Sequence, residues 1–351
     1  MIADIGRLQG AIENLTERYV RAGYFPQVNV RVFDRERSLL TVSQGDQGED
    51  ALFDVASLTK IATATQVLLL IDRGKLRLED EVLSFFSEFA EDAYLSQRLK
   101  GVTVFQLLIH TSTLPAWYPF YVHRGRLFAD VLREALSSQA PTQGVVYSDL
   151  NFMLLGKILE RVTDLPLEDC LQETLVNPYA LGDMMYRPKI KDSARTVPSS
   201  MDNGIEEGMV AERGLTFYGF REHGSAVIGT ANDGNCHYYF GDVAGHAGIF
   251  ATTESYMRLC QLYMTSESLL FMRSQETQAA SPGRGLGFQT TVIYPEGCGH
   301  LGFTGTSLYF SSRRNIGVVA FTNRLYYPHP NDNPTNDFRR ALHEIVHAAV
   351  L

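Results

Sequence analysis

The chain is poor in the residue patterns that mark several classes of protein. Only four cysteines occur in 351 residues, without a Cys-x-x-Cys pair or a metal-like spacing to histidine. We therefore expect free thiols, and neither a zinc site nor a disulfide framework. No run of lysine and arginine occurs, and the net charge of -9 argues against nucleic acid or an anionic membrane surface as a partner. We expect no metal and no cofactor.

Long apolar runs are also missing. No segment is long enough to cross a bilayer as a helix, and the first residues do not form the charged and then apolar stretch of a signal peptide. We therefore expect no transmembrane segment and a cytoplasmic protein, unless a leader was trimmed. The length of 351 residues suffices for one large or two modest domains, and it leaves the oligomeric state open.

One almost uncharged helical segment carries a hydroxyl and an amine at its start. The run from Ile61 to Ile71 is apolar on all sides, as expected of a buried helix, and Gly74 marks its end. Ser57 and Lys60 stand three residues apart in the first turn, so they share one face. A serine hydroxyl needs a base to become a nucleophile, and a lysine can serve if burial lowers its pKa. The same spacing also arises by chance, so it needs support from other parts of the chain.

Strand signals lie near the two ends of the chain, where apolar and polar residues alternate or β-branched residues cluster. The predicted strands are 28–32, Leu39–Val42, Leu286–Tyr294, Gly302–Phe310 and Ile316–Thr322. Amphipathic helices are predicted over 3–22 and from about Thr335 to Val350. We expect one antiparallel sheet of about five strands, with both terminal helices packed on it.

The middle of the chain is mostly helical and rich in loops. The helix that begins near Asp149 has the strongest signal, with Ser148 and Asp149 as candidates for its cap. Residues 187–240 are interpreted as long irregular connections, which in compact domains are usually functional or covering. The aromatic cluster at 117–121 could line a cleft or pack a loop.

Strand-rich ends around a helical middle indicate an α/β fold of the α+β type. We predict that residues 1–95 and 241–351 form the sheet domain and that residues 96–240 form a mostly helical insertion. The active site is then expected in the cleft between these two parts.

Two further stretches carry groups that could complete a site. Tyr147 stands directly before the strong helix, where its phenol could transfer a proton beside a cation; alternatively, its ring only packs. Small residues from His300 to Ser307 predict a sheet edge that could bind an extended substrate and supply an N–H group to an oxyanion. The alternative is a glycine-rich turn that enters an ordinary strand.

These three stretches, in this order, resemble the serine β-lactamase and penicillin-binding-protein superfamily, most closely its class C β-lactamase and esterase-like branch. The family motifs Ser-x-x-Lys, Tyr-x-Asn and Lys-Thr-Gly are matched in turn by Ser57 and Lys60, by Tyr147 and Asp149, and by His300, Leu301 and Gly302. Flanking residues 56–60, 107–112 and 243–250 are similar too, so the resemblance covers nearly the whole chain.

The resemblance implies a β-lactamase/transpeptidase-like fold and acyl-enzyme chemistry. Ser57 would attack an acyl carbonyl, Lys60 with the help of Tyr147 would take its proton, and Tyr147 would protonate the leaving group. Backbone N–H groups of Ser57 and Phe303 would hold the oxyanion. The residues implied in substrate binding are Asp149, His300, Gly302 and Thr304.

Two residues depart from the family motifs. Asp149 replaces asparagine, and its carboxylate would raise the pKa of Lys60 and weaken it as a base, or would orient a cationic group. His300 replaces a lysine that recognises a substrate carboxylate, and neutral histidine has no fixed positive charge. Two hypotheses follow: a serine hydrolase for esters, amides or β-lactam-like small molecules or peptides, or a catalytically idle protein that binds a peptide or acyl ligand.

Overall fold

Strands from both ends of the chain form one antiparallel sheet in the computed structural model, which describes residues 4–188, 190–291, 293–326 and 334–350. The strands of these residues are β1 (Val28–Phe33), β2 (Ser38–Gln44), β3 (Phe53–Asp54), β4 (Met184–Tyr186), β5 (Ile249–Ala251), β6 (Cys298–Leu301), β7 (Ser307–Ser311) and β8 (Ile316–Thr322). The large sheet has the order β2-β1-β8-β7-β6, and a small sheet has the order β3-β5-β4. The expected five-stranded antiparallel sheet is therefore confirmed.

Helices cover the sheet and fill the middle of the chain. Within the described ranges they are α1 (Ile5–Arg21), α2 (Thr59–Asp72), α3 (Ser87–Glu91), α4 (Ala93–Leu99), α5 (Val104–Leu108), α6 (Phe128–Ser137), α7 (Asp149–Thr163), α8 (Leu167–Leu171), α9 (Gly204–Ala211), α10 (Thr253–Thr265), α11 (Leu269–Ser274) and α12 (Thr335–Ala348). None of the helices in these ranges is long and apolar enough to span a bilayer.

The terminal helices α1 and α12 pack on one face of the sheet, as predicted. Ile12 of α1 and Leu342 of α12 are fully buried in one apolar cluster with Val30 of β1. The other face of β1 is buried as well, because Asn29 is fully buried and donates to the carbonyl of Gly48 at 2.8 Å. The alternation of valine with polar residues in β1 therefore marks two buried faces, not one buried and one exposed face.

Helix α2 passes through the core. All residues from Thr59 to Leu70 are buried, and Gly74 follows the helix with a φ of 67°, a left-handed conformation that glycine adopts without strain. One apolar core contains Val67 of α2, Leu155 of α7 and Phe321 of β8. This core includes residues from both predicted parts of the chain, and the division at residues 96 and 240 stays a prediction.

Two predicted strands differ from the structure. Residues 286–291 do not form a strand, because Gly287 has a φ of 88° that interrupts an extended chain; residue 292 of this prediction lies outside the described residues. The edge strand is β6 instead. The predicted strand Gly302–Phe310 begins only at Ser307, because the Gly302 N–H bonds to the Thr306 carbonyl at 2.7 Å and closes a tight turn.

The predicted N-cap position of α7 is confirmed for Ser148, but the expected side-chain hydrogen bond is not formed. The Ser148 hydroxyl donates to the Pro115 carbonyl at 2.6 Å, and the carboxylate of Asp149 contacts Lys60. Both side chains are therefore used for tertiary contacts between α7 and its surroundings.

Candidate active site

Ser57 lies in a short 3-10 turn, Ala56–Leu58, that runs directly into α2. Ala56 has a φ of 47°, a left-handed conformation that costs a non-glycine residue about 1 kcal/mol or more. Its N–H donates to Oδ1 of Asp54 at 2.8 Å, which helps to hold this conformation. The turn thus presents the Ser57 side chain from a fixed backbone at the start of a buried helix.

Lys60 donates to two oxygen atoms and forms an ion pair with a third from a buried position. Its Nζ lies 2.9 Å from Oγ of Ser57, 2.8 Å from Oδ1 of Asp149 and 3.1 Å from the carbonyl oxygen of His246. Burial lowers the pKa of Lys60, but the charges and hydrogen bonds of Asp149 and Tyr147 raise it by more, so that the net pKa is above its ordinary value. In the free site, Lys60 is an ammonium ion that donates to Ser57.

Tyr147 is half-buried and surrounded by cationic and aromatic groups. Its ring centroid lies 5.0 Å from Nζ of Lys60 and 5.0 Å from the guanidinium carbon of Arg284. The rings of His110 and His300 are 4.7 and 5.9 Å away, centroid to centroid. The structure therefore brings the predicted phenol to the predicted lysine.

His300 lies on the edge strand β6 and is neutral. Its Nδ1 is 3.0 Å from the Leu301 carbonyl oxygen, which can only accept, so the ring proton is on Nδ1. Burial and the charges of Arg284 and Lys60 hold its pKa well below the ordinary value. Its Nε2 is thus a lone-pair acceptor, without a partner among the described residues.

The turn between β6 and β7 is tied to the turn that carries Ser57. Thr304 Oγ1 donates to the Asp54 carbonyl at 2.7 Å, and Thr306 Oγ1 donates to the Val55 carbonyl at 2.9 Å. Gly302 has no room for a side chain, because a Cβ atom there would lie 1.9 Å from Thr306 Oγ1. Thr304, predicted to bind substrate, is buried behind the wall and acts here as a tether.

A cavity of about 400 Å³ connects these elements. The predicted site residues that line it are Ser57, Tyr147, Asp149, His300, Gly302 and Phe303. Lys60 is buried behind the wall, and Phe303 is 41% exposed. Of the aromatic cluster at 117–121, Trp117 lines the cavity, whereas Phe120 and Tyr121 are fully buried, so the two interpretations of the cluster each hold for part of it.

Several residues of the site were not found from the sequence. Asp54 precedes the Ser57 turn and could have been found as the acceptor of an Asx turn, two residues before Ala56. Glu206 and Asp233 line the cavity from residues 187–240; these were interpreted as irregular connections, but Glu206 lies in the first turn of α9. Arg339 lines it from α12 and donates to the Gly302 and Thr306 carbonyls at 2.6 and 2.8 Å.

A model of the beta-lactamase family matches residues 12–342 of the chain. The chain belongs to the beta-lactamase family. Among the curated relatives of this family member, an N-acetylmuramyl-L-alanine amidase of Bacillus subtilis (strain 168) is 26% identical over an alignment of 373 positions, which covers 92% of this chain and 83% of the relative. A protein of Escherichia coli (strain K12) named as a D-alanyl-D-alanine carboxypeptidase is 26% identical over 323 positions, or 81% of this chain and 72% of the relative.

Solved structures share the fold of this beta-lactamase family member. EstCE1, described as a hydrolase with promiscuous acyltransferase activity, superposes with a TM-score of 0.71 at 17% identity and covers 97% of this chain and 99% of its own. A class C beta-lactamase superposes with a TM-score of 0.71 at 15% identity, over 98% of this chain and 99% of its own. The expected resemblance and fold are confirmed.

Proposed function

We propose that this chain is a serine hydrolase that forms an acyl-enzyme on Ser57. The observation that carries the proposal is the position of Ser57 Oγ, 2.9 Å from Lys60 Nζ on the wall of a cavity that Tyr147 also lines. A nucleophile, a proton carrier and a proton donor around one open space are the parts that acyl transfer needs. Esters, amides and β-lactam-like compounds are the proposed substrates.

The first step is the attack of Ser57 on the acyl carbonyl. Lys60 begins as an ammonium ion, so it passes one proton to Asp149 Oδ1, 2.8 Å away, and takes the proton of the Ser57 hydroxyl. The serine O–H bond breaks and a bond forms between Oγ and the carbonyl carbon. Asp149 is then protonated, and Lys60 is again an ammonium ion.

The second step is the loss of the leaving group. Tyr147 gives its phenolic proton to the departing oxygen or nitrogen, Lys60 returns a proton to the phenolate, and Asp149 returns its proton to Lys60. All groups regain their starting charges, and the acyl group stays on Ser57. The backbone N–H groups of Ser57 and Phe303, both on the cavity wall, are proposed to hold the oxyanion. Water, or another acceptor, then removes the acyl group.

The names of the curated relatives favour an amide of a cell-wall peptide as the natural substrate. Those proteins are named for a D-alanyl-D-alanine carboxypeptidase and an N-acetylmuramyl-L-alanine amidase. Phe303, Gly302 and His300 line the cavity at the sheet margin, where an extended peptide could lie along β6.

A second candidate function is ligand binding without catalysis. Asp149 keeps Lys60 as an ammonium ion in the free site, and His300 provides no positive charge. A protein with these two features could bind an acyl or peptide ligand and leave it intact. Its ligand affinity would then be the same in the wild type and in Ser57→Ala, and neither would be acylated.

The test is the hydrolysis of short-chain p-nitrophenyl esters and labelling by a fluorophosphonate probe. Ser57→Ala is expected to lose both, whereas Ser84→Ala, an exposed serine, is the matched control and should keep both. Equal turnover by the wild type and Ser57→Ala would contradict the proposal.

A further inference from the structure

Two carboxyl groups meet in the cavity wall beside the Ser57 turn. Asp233 Oδ1 accepts from the Cys236 N–H at 2.8 Å and lies 3.0 Å from Nε2 of His246. Glu206 Oε1 accepts from the Gly234 N–H at 2.8 Å. Since residues 233 and 234 are adjacent in the chain, these bonds bring the Glu206 carboxyl group to the chain segment that carries Asp233, and both residues line the cavity.

This acid pair has no lysine or arginine partner among the described residues. Lys60 pairs with Asp149. Arg221, a nearby guanidinium, donates to Asn203 Oδ1 at 3.1 Å and to the Ala231 carbonyl at 2.7 Å. Among the described residues, the possible cation beside the pair is therefore His246, 3.0 Å from Asp233 Oδ1, and no lysine or arginine forms an ion pair with Glu206, although buried acids are ordinarily paired.

The charge of Asp233 opposes the ionisation of Glu206. Burial and the charge of Asp233 hold the pKa of Glu206 well above its ordinary value. Burial also acts to raise the pKa of Asp233, but His246 and the backbone N–H of Cys236 lower it by more. These opposite directions of the two pKa shifts mean that Asp233 ionises more readily than Glu206, as in other pairs of close carboxyl groups. A cation between them would relieve this repulsion.

Unpartnered polar atoms lie at the cavity and behind its wall, and the one at the cavity, Nε2 of His300, points to a ligand that donates a hydrogen bond. Nε2 of His300 lines the cavity as a bare acceptor on a residue that is 1% exposed. The Tyr121 hydroxyl is fully buried and has no partner among the described residues. Its ring and the Glu206 carboxylate meet at Gly234, where a Cβ atom would lie 2.9 Å from Tyr121 Cε1 and 2.2 Å from Glu206 Oε2. What this region of the site lacks is a positively charged donor.

We propose that the substrate carries a protonated amine, which binds between Glu206 and Asp233 while its carbonyl carbon meets Ser57. The substrate class is then an ester or amide with a free amino group, such as an aminoacyl compound or a peptide with an unblocked amine. This inference rests on the proposed function, because it takes the cavity to be the catalytic one. The inference adds that the site prefers substrates with a positive charge over neutral substrates of the same shape.

Matched pairs of substrates test the proposal. Alanine p-nitroanilide, in both enantiomers, is compared with isobutyryl p-nitroanilide, in which a methyl group replaces the ammonium group. The acetyl thioester of 2-(dimethylamino)ethanethiol, whose protonated amine carries one N–H donor, is compared with its neutral carbon isostere; this pair places the cation on the leaving group. In the wild type at pH 7, we expect kcat/KM to be about tenfold or more higher for the cationic member of at least one pair. The reason is that a hydrogen bond to a charged group contributes enough free energy for such a ratio.

Two substitutions locate the preference. Glu206→Gln and Asp233→Asn are expected to bring the ratio of kcat/KM values, cationic over neutral, close to one. Glu207→Gln is the matched control, because Glu207 is the neighbour on α9 and pairs with His223 outside this cavity; its ratio should equal that of the wild type. The wild-type ratio alone tests the proposal, even if a variant fails to fold.

Equal rates within both pairs for the wild type would overturn this inference, and so would a cation preference that survives both substitutions. In either case, continued hydrolysis with acylation of Ser57 would leave the proposed function intact. The absence of any hydrolysis, together with no labelling of Ser57, would instead overturn the proposed function and this inference with it.

Discussion

Lys60 Nζ lies 2.8 Å from Asp149 Oδ1, in a wall where the Lys60 side chain is 1% exposed. An ion pair this deeply buried is stable only if both charges stay paired, because each would otherwise be left desolvated. The pair outweighs the effect of burial and raises the pKa of Lys60. Asp149, at the start of α7, therefore sets the protonation state that Ser57 meets.

Asp149→Asn should shift the pH dependence of acylation. Without the carboxylate, burial lowers the pKa of Lys60 and Tyr147 alone opposes it, so the neutral amine that can take the Ser57 proton directly is present at lower pH. We expect the rising limb of the acylation rate to move to lower pH by about 1 to 3 units. The measurement is the rate of fluorophosphonate labelling across pH.

Glu254→Gln is the control for Asp149→Asn, because it removes the same charge from an exposed pair with Arg258. Its rising limb should coincide with that of the wild type. A limb that stays in place in Asp149→Asn, or moves to higher pH, would show that Asp149 does not control the proton carrier.

Tyr147→Phe should separate substrates by their leaving groups. An amine must be protonated to leave, whereas p-nitrophenolate leaves without a proton. We expect hydrolysis of p-nitroanilides to slow by about 10²- to 10⁴-fold and hydrolysis of p-nitrophenyl esters to slow much less. Tyr218→Phe, at a side chain that is 97% exposed, is the control. Equal losses on both substrates would rule out Tyr147 as the donor to the leaving group.

Gly302→Ala should disturb the sheet margin and the Ser57 turn together. The added Cβ would lie 1.9 Å from Thr306 Oγ1 and 2.7 Å from the Val55 carbonyl oxygen, so we expect a loss of about 1–3 kcal/mol in the free energy of unfolding and reduced acylation. Gly10→Ala in α1 is the contrasting control. No atom lies within 4 Å of its Cβ position, and it should stabilise the protein by about 0.5–1 kcal/mol. Urea unfolding measures both.

Asp54 should make stability fall as the pH rises from about 4 to about 6. Burial raises its pKa to about 6, although N–H groups of Asn232 and Ala56 oppose this. The unfolded chain loses this proton near pH 4 while the folded protein keeps it, so the folded state binds more protons in this interval and stability declines with pH. Above about pH 6 the contribution is constant.

Asp54→Asn removes this titration. The difference in unfolding free energy between variant and wild type, measured by urea unfolding, should therefore change in favour of the variant from pH 4 to pH 6 and then stay level. Asp46→Asn, at an exposed position, is the charge-matched control. A difference that is flat across this interval would contradict the raised pKa of Asp54.

The sequence predicts best what depends on local pattern. The strand Ile316–Thr322 was predicted with the bounds that the structure shows, because an unbroken apolar and β-branched run leaves little choice. The proximity of Ser57 and Lys60 follows from helical geometry alone. The strand at 286–294 failed because the left-handed φ of Gly287 depends on its tertiary surroundings, as a Cβ atom there would lie 2.7 Å from Ala64 Cβ.

The other contacts of the site join residues that are far apart in the chain, so local patterns do not predict them. Lys60 and Asp149 lie far apart in the chain, and only the family resemblance predicted that they meet. Glu206 and Asp233 could not have been found in this way, because neither belongs to the three motifs and both lie in the long segment between β4 and β5, which includes α9. The predicted roles of the site residues remain predictions, although the structure places six of them on one cavity.

Intact-mass spectrometry, followed by peptide mapping, tests the central claim most directly. The wild type and Ser57→Ala are each incubated with a panel of short-chain esters and penicillins and then quenched. The account predicts that the wild type gains the mass of one acyl group, located on the peptide that contains Ser57, and that Ser57→Ala gains none. An acyl group on another residue, equal acylation of Ser57→Ala, or no acylation by any compound of the panel would contradict it.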